Sequence, residues 1–477
     1  TYSIGASAAS LSVTATGQGI GYQWYSNATE SNSGGSPIDG ATGNSYTPPT
    51  TTVGTTYYYC VVTGTCNPPS VTSAVSGAIQ IVQYETGDYR SIASTNWGLS
   101  ATWQKWNGTA WVASGDFPNT TTANVYIEGG FTVNVETSGR SVKNLYISGN
   151  STLKSSNLVN SPSYLRIYGS VVSVESGSLV GNLSNGNNTD GISFDVYSTN
   201  LTITGNGGTI NPSRIRTNTA GTIVTIDNDV TLNYHGSGNA GNAAAYYTVA
   251  GSNNILTVNA GKTLTFAPWA CYTPVSSSHT NSALNQTVNV NGTLTMVDGL
   301  VPGNATANGW SGHTHGYFSF GATSGTTFIL NIGSTGTMNV SEFYPNGTLN
   351  SNAPGTGTIT SINVAAGGAL NVTQIADFRN AAQTVAGGGT FSIASGGLMR
   401  IGSADGITAS AASGNIQTTT RTFSSAANYA YEGTAAQAAG DGLPSSINNL
   451  TVNNSAGVTL AANVTVNGVL ALTSGRL

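Results

Sequence analysis

The sequence predicts an all-β protein in which a small β-sandwich is followed by a long right-handed parallel β-helix. Short runs of alternating apolar and polar residues, separated by Gly- and Asn-rich turns, are typical of β-strands. Similar strand–turn–strand units recur about every 30 to 40 residues in the second part of the chain, as in a solenoid. No helical periodicity separates the strands, which excludes alternating strands and helices.

The composition of the chain argues against some classes of function. Only 6% of the 477 residues are charged, and the net charge is −5 with 13 Lys and Arg in scattered positions. This argues against a nucleic-acid partner, which needs a basic surface. No apolar run reaches the roughly 20 residues of a membrane span. The start lacks the features of a signal peptide, and the end follows a repeat directly, so we expect a fragment of a longer secreted chain.

Residues 1–81 predict the β-sandwich. Strand-like segments are spaced about ten residues apart with turn signals between them. Trp24 lies in the second of these segments, where sandwich domains bury a tryptophan. Tyr58 precedes Cys60 by two residues, the spacing of a tyrosine corner.

The cysteines indicate an oxidising compartment. The earlier strand LSVTATG has no cysteine that could pair with Cys60 across the sandwich, so a disulfide between Cys60 and Cys66 is expected. The alternative is two free thiols. Cys271 stands alone and is interpreted as a small buried apolar residue.

The first 81 residues resemble the immunoglobulin-like modules of very large secreted proteins of the Bacteroidota. The resemblance is carried by YQWYSN, IDGAT, YTPPTTTVGTTYYYCVVT and SVTSAVSGAIQI. It implies an immunoglobulin-like β-sandwich that serves as a spacer or interaction module, and it implies nothing about catalysis.

Residues 82–122 form a Trp-rich segment that also resembles a recurring segment of those surface proteins, where it opens a β-helix. Trp97, Trp103, Trp106 and Trp111 lie in it. One interpretation is a hydrophobic plug over the first coil, since terminal repeats need a cap. The alternative is a platform for sugar rings formed by Trp103, Trp106 and Trp111.

Residues 123–477 predict the β-helix. Equivalent inward positions are expected in successive coils, and longer insertions are expected to leave the coils as surface loops, where binding residues usually lie. The proposed equivalent positions are Val258, Val290, Ile332, Val364 and Ile393, and the proposed insertions are 234–253, 298–327 and 402–446.

Catalytic motifs are incomplete. NTDGISF, with Asp190, is similar to a motif of polygalacturonase-type glycoside hydrolases, and RIRT at 214–217 is similar to another. Inverting hydrolysis needs two opposed carboxyl groups. Asp195 is the only near neighbour of Asp190, and its odd spacing turns it to the other side of a strand.

The sequence also lacks the full set of residues that a metal site or a polysaccharide lyase needs. His313 and His315 share one side of an extended segment, but a credible metal site needs a third ligand. The acidic cluster and calcium repeat expected of many polysaccharide-degrading solenoids are missing. We therefore expect no catalytic residues, no metal and no cofactor.

The functional expectation is a non-catalytic extracellular protein that acts in adhesion or as a structural rod presenting loops. The resemblance implies export by the type 9 secretion machinery through a sorting domain beyond Leu477. Polysaccharides or cell-surface glycans are the expected partners. The alternatives are a carbohydrate-binding or polysaccharide-degrading β-helix protein and a self-associating filament subunit.

Overall fold

A computed structural model describes most of the chain, and its strands account for the fold. Within the described residues there is no α-helix, and the single helical turn is the 3₁₀ turn Ser100–Thr102. None of the described helical residues forms a segment long and apolar enough to cross a membrane. The described residues are 2–3, 8–65, 68–82, 84–136, 139–155, 163–181, 192–232, 246–249, 252–267, 271–273, 285–297, 317–319, 327–345, 360–410 and 412–477.

The chain divides into two compact units. The first unit comprises Thr1–Asp88 and Lys105–Val112, and the second comprises Tyr89–Gln104 and Ala113–Leu477. The Trp-rich segment 82–122 is therefore shared between the two units.

The first unit is a small β-structure built mainly from antiparallel strands. A sheet has the strand order β1-β8-β6-β3-β4, β7 adds to β6, and β2 pairs with β5 in a separate ladder. The strands are β1 (Tyr2–Ser3), β2 (Leu11–Ser12), β3 (Gly21–Asn27), β4 (Ser36–Pro37), β5 (Ser45–Tyr46), β6 (Gly54–Thr63), β7 (Ser70–Thr72) and β8 (Ile79–Val82).

The core of the first unit forms where β3 and β6 face β2 and β5. Trp24 is opposite Cys60 in the β3–β6 ladder, and both side chains are buried with that of Tyr58. The Trp24 indole donates a hydrogen bond to the Gly43 carbonyl at 2.9 Å. The expected burial of Trp24 is confirmed, and its polar atom is satisfied, as a buried indole requires.

The second unit is a large sheet of parallel strands. Its first strands are β9 (Tyr89–Ser91), β10 (Trp103–Trp106), β11 (Trp111–Ala113), β12 (Val125–Ile127), β13 (Thr132–Val135), β14 (Arg140–Val142), β15 (Leu145–Ile147), β16 (Thr152–Ser155), β17 (Ser163–Ile167), β18 (Val171–Val174), β19 (Leu179–Gly181), β20 (Ile192–Val196), β21 (Asn200–Thr204), β22 (Thr209–Asn211), β23 (Arg214–Thr217), β24 (Ile223–Ile226), β25 (Val230–Leu232), β26 (Tyr246–Val249), β27 (Asn254–Val258) and β28 (Thr263–Phe266). The remaining strands of the second unit are β29 (Cys271–Thr273), β30 (Gln286–Val290), β31 (Thr293–Met296), β32 (Tyr317–Ser319), β33 (Phe328–Ile332), β34 (Thr337–Tyr344), β35 (Thr360–Val364), β36 (Ala369–Phe378), β37 (Thr384–Ile393), β38 (Leu398–Ile401), β39 (Ile416–Phe423), β40 (Asn428–Tyr431), β41 (Gln437–Ala438), β42 (Ser446–Ile447), β43 (Asn449–Asn454), β44 (Val458–Thr459), β45 (Thr465–Val466) and β46 (Leu470–Gly475). Of these, β41 pairs with β44 and β42 pairs with β45 in two separate two-stranded parallel sheets. Parts of β10 and β11 belong to the first unit, which includes Lys105–Val112.

Between β12 and β33, each strand pairs in parallel with the strand three places later, which creates three columns. Column A contains β12, β15, β18 and every third strand to β33; column B runs from β13 to β31 and column C from β14 to β32 in the same way. From β34 onward single long strands serve two columns: β34 continues columns B and C, and β37 continues A and B.

Apolar side chains on one side of every column form the core of the second unit. In column A the expected equivalence of Val258, Val290, Ile332 and Val364 is confirmed, because each is the direct partner of the next. The expectation for Ile393 is wrong. Ile393 pairs with Val372 in column B, since β37 enters column A at Thr384 and has crossed into column B by Thr390.

The expected insertions have different outcomes. Residues 402–446 are not a loop outside the coils: they include β39, which extends two columns, and β40, which pairs with β38 and β43. That expectation is wrong because the polar composition of the segment concealed its strands, in which Ile416 and Thr418 of β39 and Tyr429 and Tyr431 of β40 are buried. Most of 234–253 and 298–327 lies outside the described residues, although β26 and β32 fall within them.

Candidate functional site

Two of the tryptophans are interior residues of the second unit. Trp97 and Trp103 are 0% and 1% exposed, with ring centroids 4.9 Å apart in an edge-to-face arrangement. The Trp97 indole donates to the Pro118 carbonyl at 2.7 Å, and the Trp103 indole donates to the Trp97 carbonyl at 2.8 Å. Trp103 therefore offers no face to a sugar ring in this structure.

The other two form an aromatic cluster in the first unit. Trp106 and Trp111 are half-buried, with centroids 5.4 Å apart and ring planes at 61°. Tyr84 contacts both rings, at 5.6 Å and 4.7 Å. Rings at such angles do not make a coplanar platform, so a sugar contact at Trp106 and Trp111 stays a prediction.

Several candidate residues lie outside the described part of the chain. They include Asp190, Cys66 and all four histidines, among them His313 and His315. The side chain of Cys271 is likewise outside it. Cys60 is described: its side chain is buried in the core of the first unit, burial raises the pKa of its thiol, and it forms no disulfide with another described residue. The Cys60–Cys66 disulfide stays a prediction.

A buried ion cluster occupies the outward side of column C where β17, β20 and β23 run side by side. The parallel register places Asp195 directly beside Arg216. Arg216 donates to one carboxylate oxygen of Asp195, and Arg214 donates to the other at 3.3 Å. Arg214 also donates to Ser193 at 2.9 Å and lies over the Tyr164 ring at 4.8 Å. Both Asp195 oxygens are thus engaged.

A second cluster lies further along column C and contains three carboxylates. Asp377 accepts two-point hydrogen bonds from Arg379, at 2.9 Å and 2.7 Å. Glu432 lies 3.7 Å from Arg379 and 3.1 Å from Arg400, so it bridges the two guanidinium groups. Asp377 and Glu432 therefore share the guanidinium group of Arg379, and Glu432 also stabilises Arg400.

Glu342 completes the second cluster through a phenol. The Tyr344 hydroxyl donates to Glu342 at 2.8 Å. Burial raises the pKa of Tyr344 far above its ordinary value, and the nearby charge of Glu342 raises it further. The phenol therefore remains a neutral donor. Among the described residues no group of three or more His, Cys, Asp or Glu is arranged to hold a metal ion.

Sequence reasoning singled out Asp195 and RIRT but did not bring them together. One pattern in the sequence could have indicated the clusters. Charged residues are rare in this chain, yet they occur at outward positions of several strands, one or two in each of ISFDV, RIRT, SEFY and LMRI. The arrangement resembles an ion-pair network more than a hydrolytic pair, because Asp195, Asp377 and Glu432 are each held by arginine.

The fold and sites define an all-β protein whose large unit is a sheet of parallel strands with charge concentrated on one column. Comparison with known families adds that residues 1–77 match the model described as an Ig-like domain, CHU_C associated. The chain thus has an N-terminal Ig-like domain of a Bacteroidota type, which indicates an extracellular or surface protein. No curated protein and no solved structure matches the chain.

Proposed function

We propose that this protein is a non-catalytic, extracellular adhesion protein whose second unit is a right-handed parallel β-helix. The observation that carries the proposal is the Ig-like domain in residues 1–77, joined to a unit whose strands repeat in three parallel columns. Such domains indicate a surface location, and a regular scaffold presents many equivalent outward positions at once.

Strand pairing supports the β-helix. Up to β33 each coil contributes one strand to each column, and the neighbours within a column come from the preceding and following coils. Inward residues such as Leu264, Leu294 and Met338 stack directly on one another and are fully buried. Export by type 9 secretion, through a sorting domain outside these 477 residues, belongs to the same proposal.

The ion clusters of column C favour a structural role over hydrolysis. A general acid must carry a proton that it can release, and a base or nucleophile must face its substrate. The carboxylates of Asp195, Asp377 and Glu432 are instead engaged by guanidinium groups. The pairs of Asp195 and Glu432 link residues of neighbouring coils.

Adhesion is tested by retention of the purified chain on coated surfaces. The panel comprises neutral polysaccharides, acidic polysaccharides and extracellular-matrix proteins, with uncoated and albumin-coated surfaces as controls. The proposal expects saturable retention on at least one coating, strengthened when the chain is displayed in several copies. Retention indistinguishable from albumin on every coating would contradict it.

A further inference from the structure

The outward side of column B carries a row of threonines. In each strand of this column a buried inward residue, such as Leu264 or Leu294, is flanked by residues that point outward. The partners across successive strands lie in one line along the column. This first row contains Thr263, Thr293, Thr337, Ala369, Thr390 and Thr420.

A second row runs beside the first, two residues further along each strand. Four of its side chains are linked to one another: Asn339 donates to Thr295 at 3.4 Å, Asn371 donates to Asn339 at 2.9 Å, and Ser392 donates to Asn371 at 2.7 Å. These bonds fix the side-chain orientations before any ligand arrives. The second row contains Thr265, Thr295, Asn339, Asn371, Ser392 and Thr422.

The two rows, together called the column B array, form a regular uncharged surface. The register shifts in the β34–β36 and β37–β39 ladders lie at the edges of the array, between Val340 and Glu342 and between Gly387 and Thr390. Strand geometry sets a repeat of about 4.8 Å along each row and about 6.6 Å between the rows. No member of either row is charged or aromatic, and Ala369 is its one apolar residue.

We propose that the column B array binds an uncharged polysaccharide; the inference rests on the proposed adhesive function and names its partner. Sugar hydroxyls donate and accept hydrogen bonds at regular intervals, as do the threonine hydroxyls and amides of the array. A surface without charge gives an acidic polymer no electrostatic attraction. A protein partner fits less well, because protein interfaces centre on aromatic and other apolar residues.

The array also limits the cost of binding. Side chains that are already held by neighbours lose little freedom when a ligand docks. A polymer that contacts many equivalent positions gains affinity by multivalency even when each contact is weak. Several coils of the second unit can therefore act together on one polysaccharide surface.

The test replaces three hydroxyls of the first row while keeping shape: Thr263→Val, Thr293→Val and Thr337→Val combined. Valine is a good strand residue, and these hydroxyls have no side-chain partner among the described residues, so the fold should persist. The matched control is Thr202→Val, Thr225→Val and Thr287→Val, at outward positions of column A where the hydroxyls likewise have no side-chain partner among the described residues. Both variants are compared with the unaltered chain for retention on insoluble cellulose, chitin and pectate.

The expected result is retention on cellulose or chitin rather than pectate, with affinity falling about tenfold or more in the column B variant and unchanged in the control. Equal retention of the column B variant, or retention on pectate alone, would overturn the inference and leave adhesion standing. Retention only on protein coatings would also overturn the inference about the polysaccharide and leave adhesion standing. Binding to nothing in either panel would remove both proposals. Circular dichroism checks folding, and Thr293→Lys provides a second variant, expected to weaken retention as well.

Discussion

Removing the carboxylate of Asp195 should destabilise the coils on either side of it. The Asp195 side chain is 3% exposed, and its partners Arg214 and Arg216 are 9% and 25% exposed. Asp195→Ala would leave two largely desolvated guanidinium groups without their shared acceptor. Breaking a buried ion pair from one side costs about 3–5 kcal/mol, because the remaining charge stays buried.

The structure supplies a matched control. Arg90 and Glu128 form a more open pair at 3.7 Å, with side chains 32% and 23% exposed. Exposed pairs contribute up to about 1 kcal/mol, so Glu128→Ala should cost much less than Asp195→Ala. Replacing all three members of the Asp195 cluster with apolar residues of similar size should recover most of the loss, as expected when no unpaired charge remains.

Native-state hydrogen exchange is the suitable assay, because a stack of coils need not unfold in one step. Exchange protection is read for the amides of β17, β20 and β23. The reasoning predicts a large loss of protection there for Asp195→Ala and a small loss near β12 for Glu128→Ala. Equal, small losses for both variants would refute the assigned role of the ion cluster.

Other changes test separate parts of the structure. Trp97→Ala should destabilise the second unit by about 3–5 kcal/mol, whereas Trp106→Ala, at a half-buried site, should cost less; denaturant unfolding compares them. Burial raises the pKa of Tyr431 in the folded protein. The contribution of its protonated phenol to stability is complete below the unfolded-state pKa of about 10 and is lost as the pH rises through the folded-state pKa. Phenolate absorbance should therefore appear together with unfolding. Mass spectrometry without reductant should show Cys60 linked to Cys66, and iodoacetamide should modify Cys60 only after reduction; modification after denaturation alone would contradict the predicted disulfide. Leu472 is 53% exposed although its strand partner Val452 is fully buried, so Leu472→Lys should lower any concentration-dependent association seen by sedimentation.

The repeat in column A could be predicted from sequence because one physical constraint governs it. An inward residue must be apolar in every coil, so Val258, Val290 and Ile332 are recognisable despite unequal spacing between them. The same reasoning failed at Ile393, since nothing in an alternating pattern shows that one strand continues from column A into column B.

The charged clusters could not be assembled from sequence for a related reason. Asp195 and Arg216 meet only because β20 and β23 are paired in one particular register. A shift of one residue would turn either side chain to the opposite side of its strand. Insertions of unequal length separate the strands of column C, so spacing along the chain does not fix that register. The burial of Trp24, by contrast, was predictable because sandwich domains bury a tryptophan in this strand, and Trp24 is the buried residue of β3.

The most direct test of adhesion without catalysis is one incubation of the purified chain with neutral and acidic polysaccharides, scored for both retention and new reducing ends or unsaturated products. We expect retention without any product, unchanged by Asp190→Asn and Glu342→Gln. Product that disappears with either substitution would contradict the proposal and establish the protein as a polysaccharide-degrading enzyme.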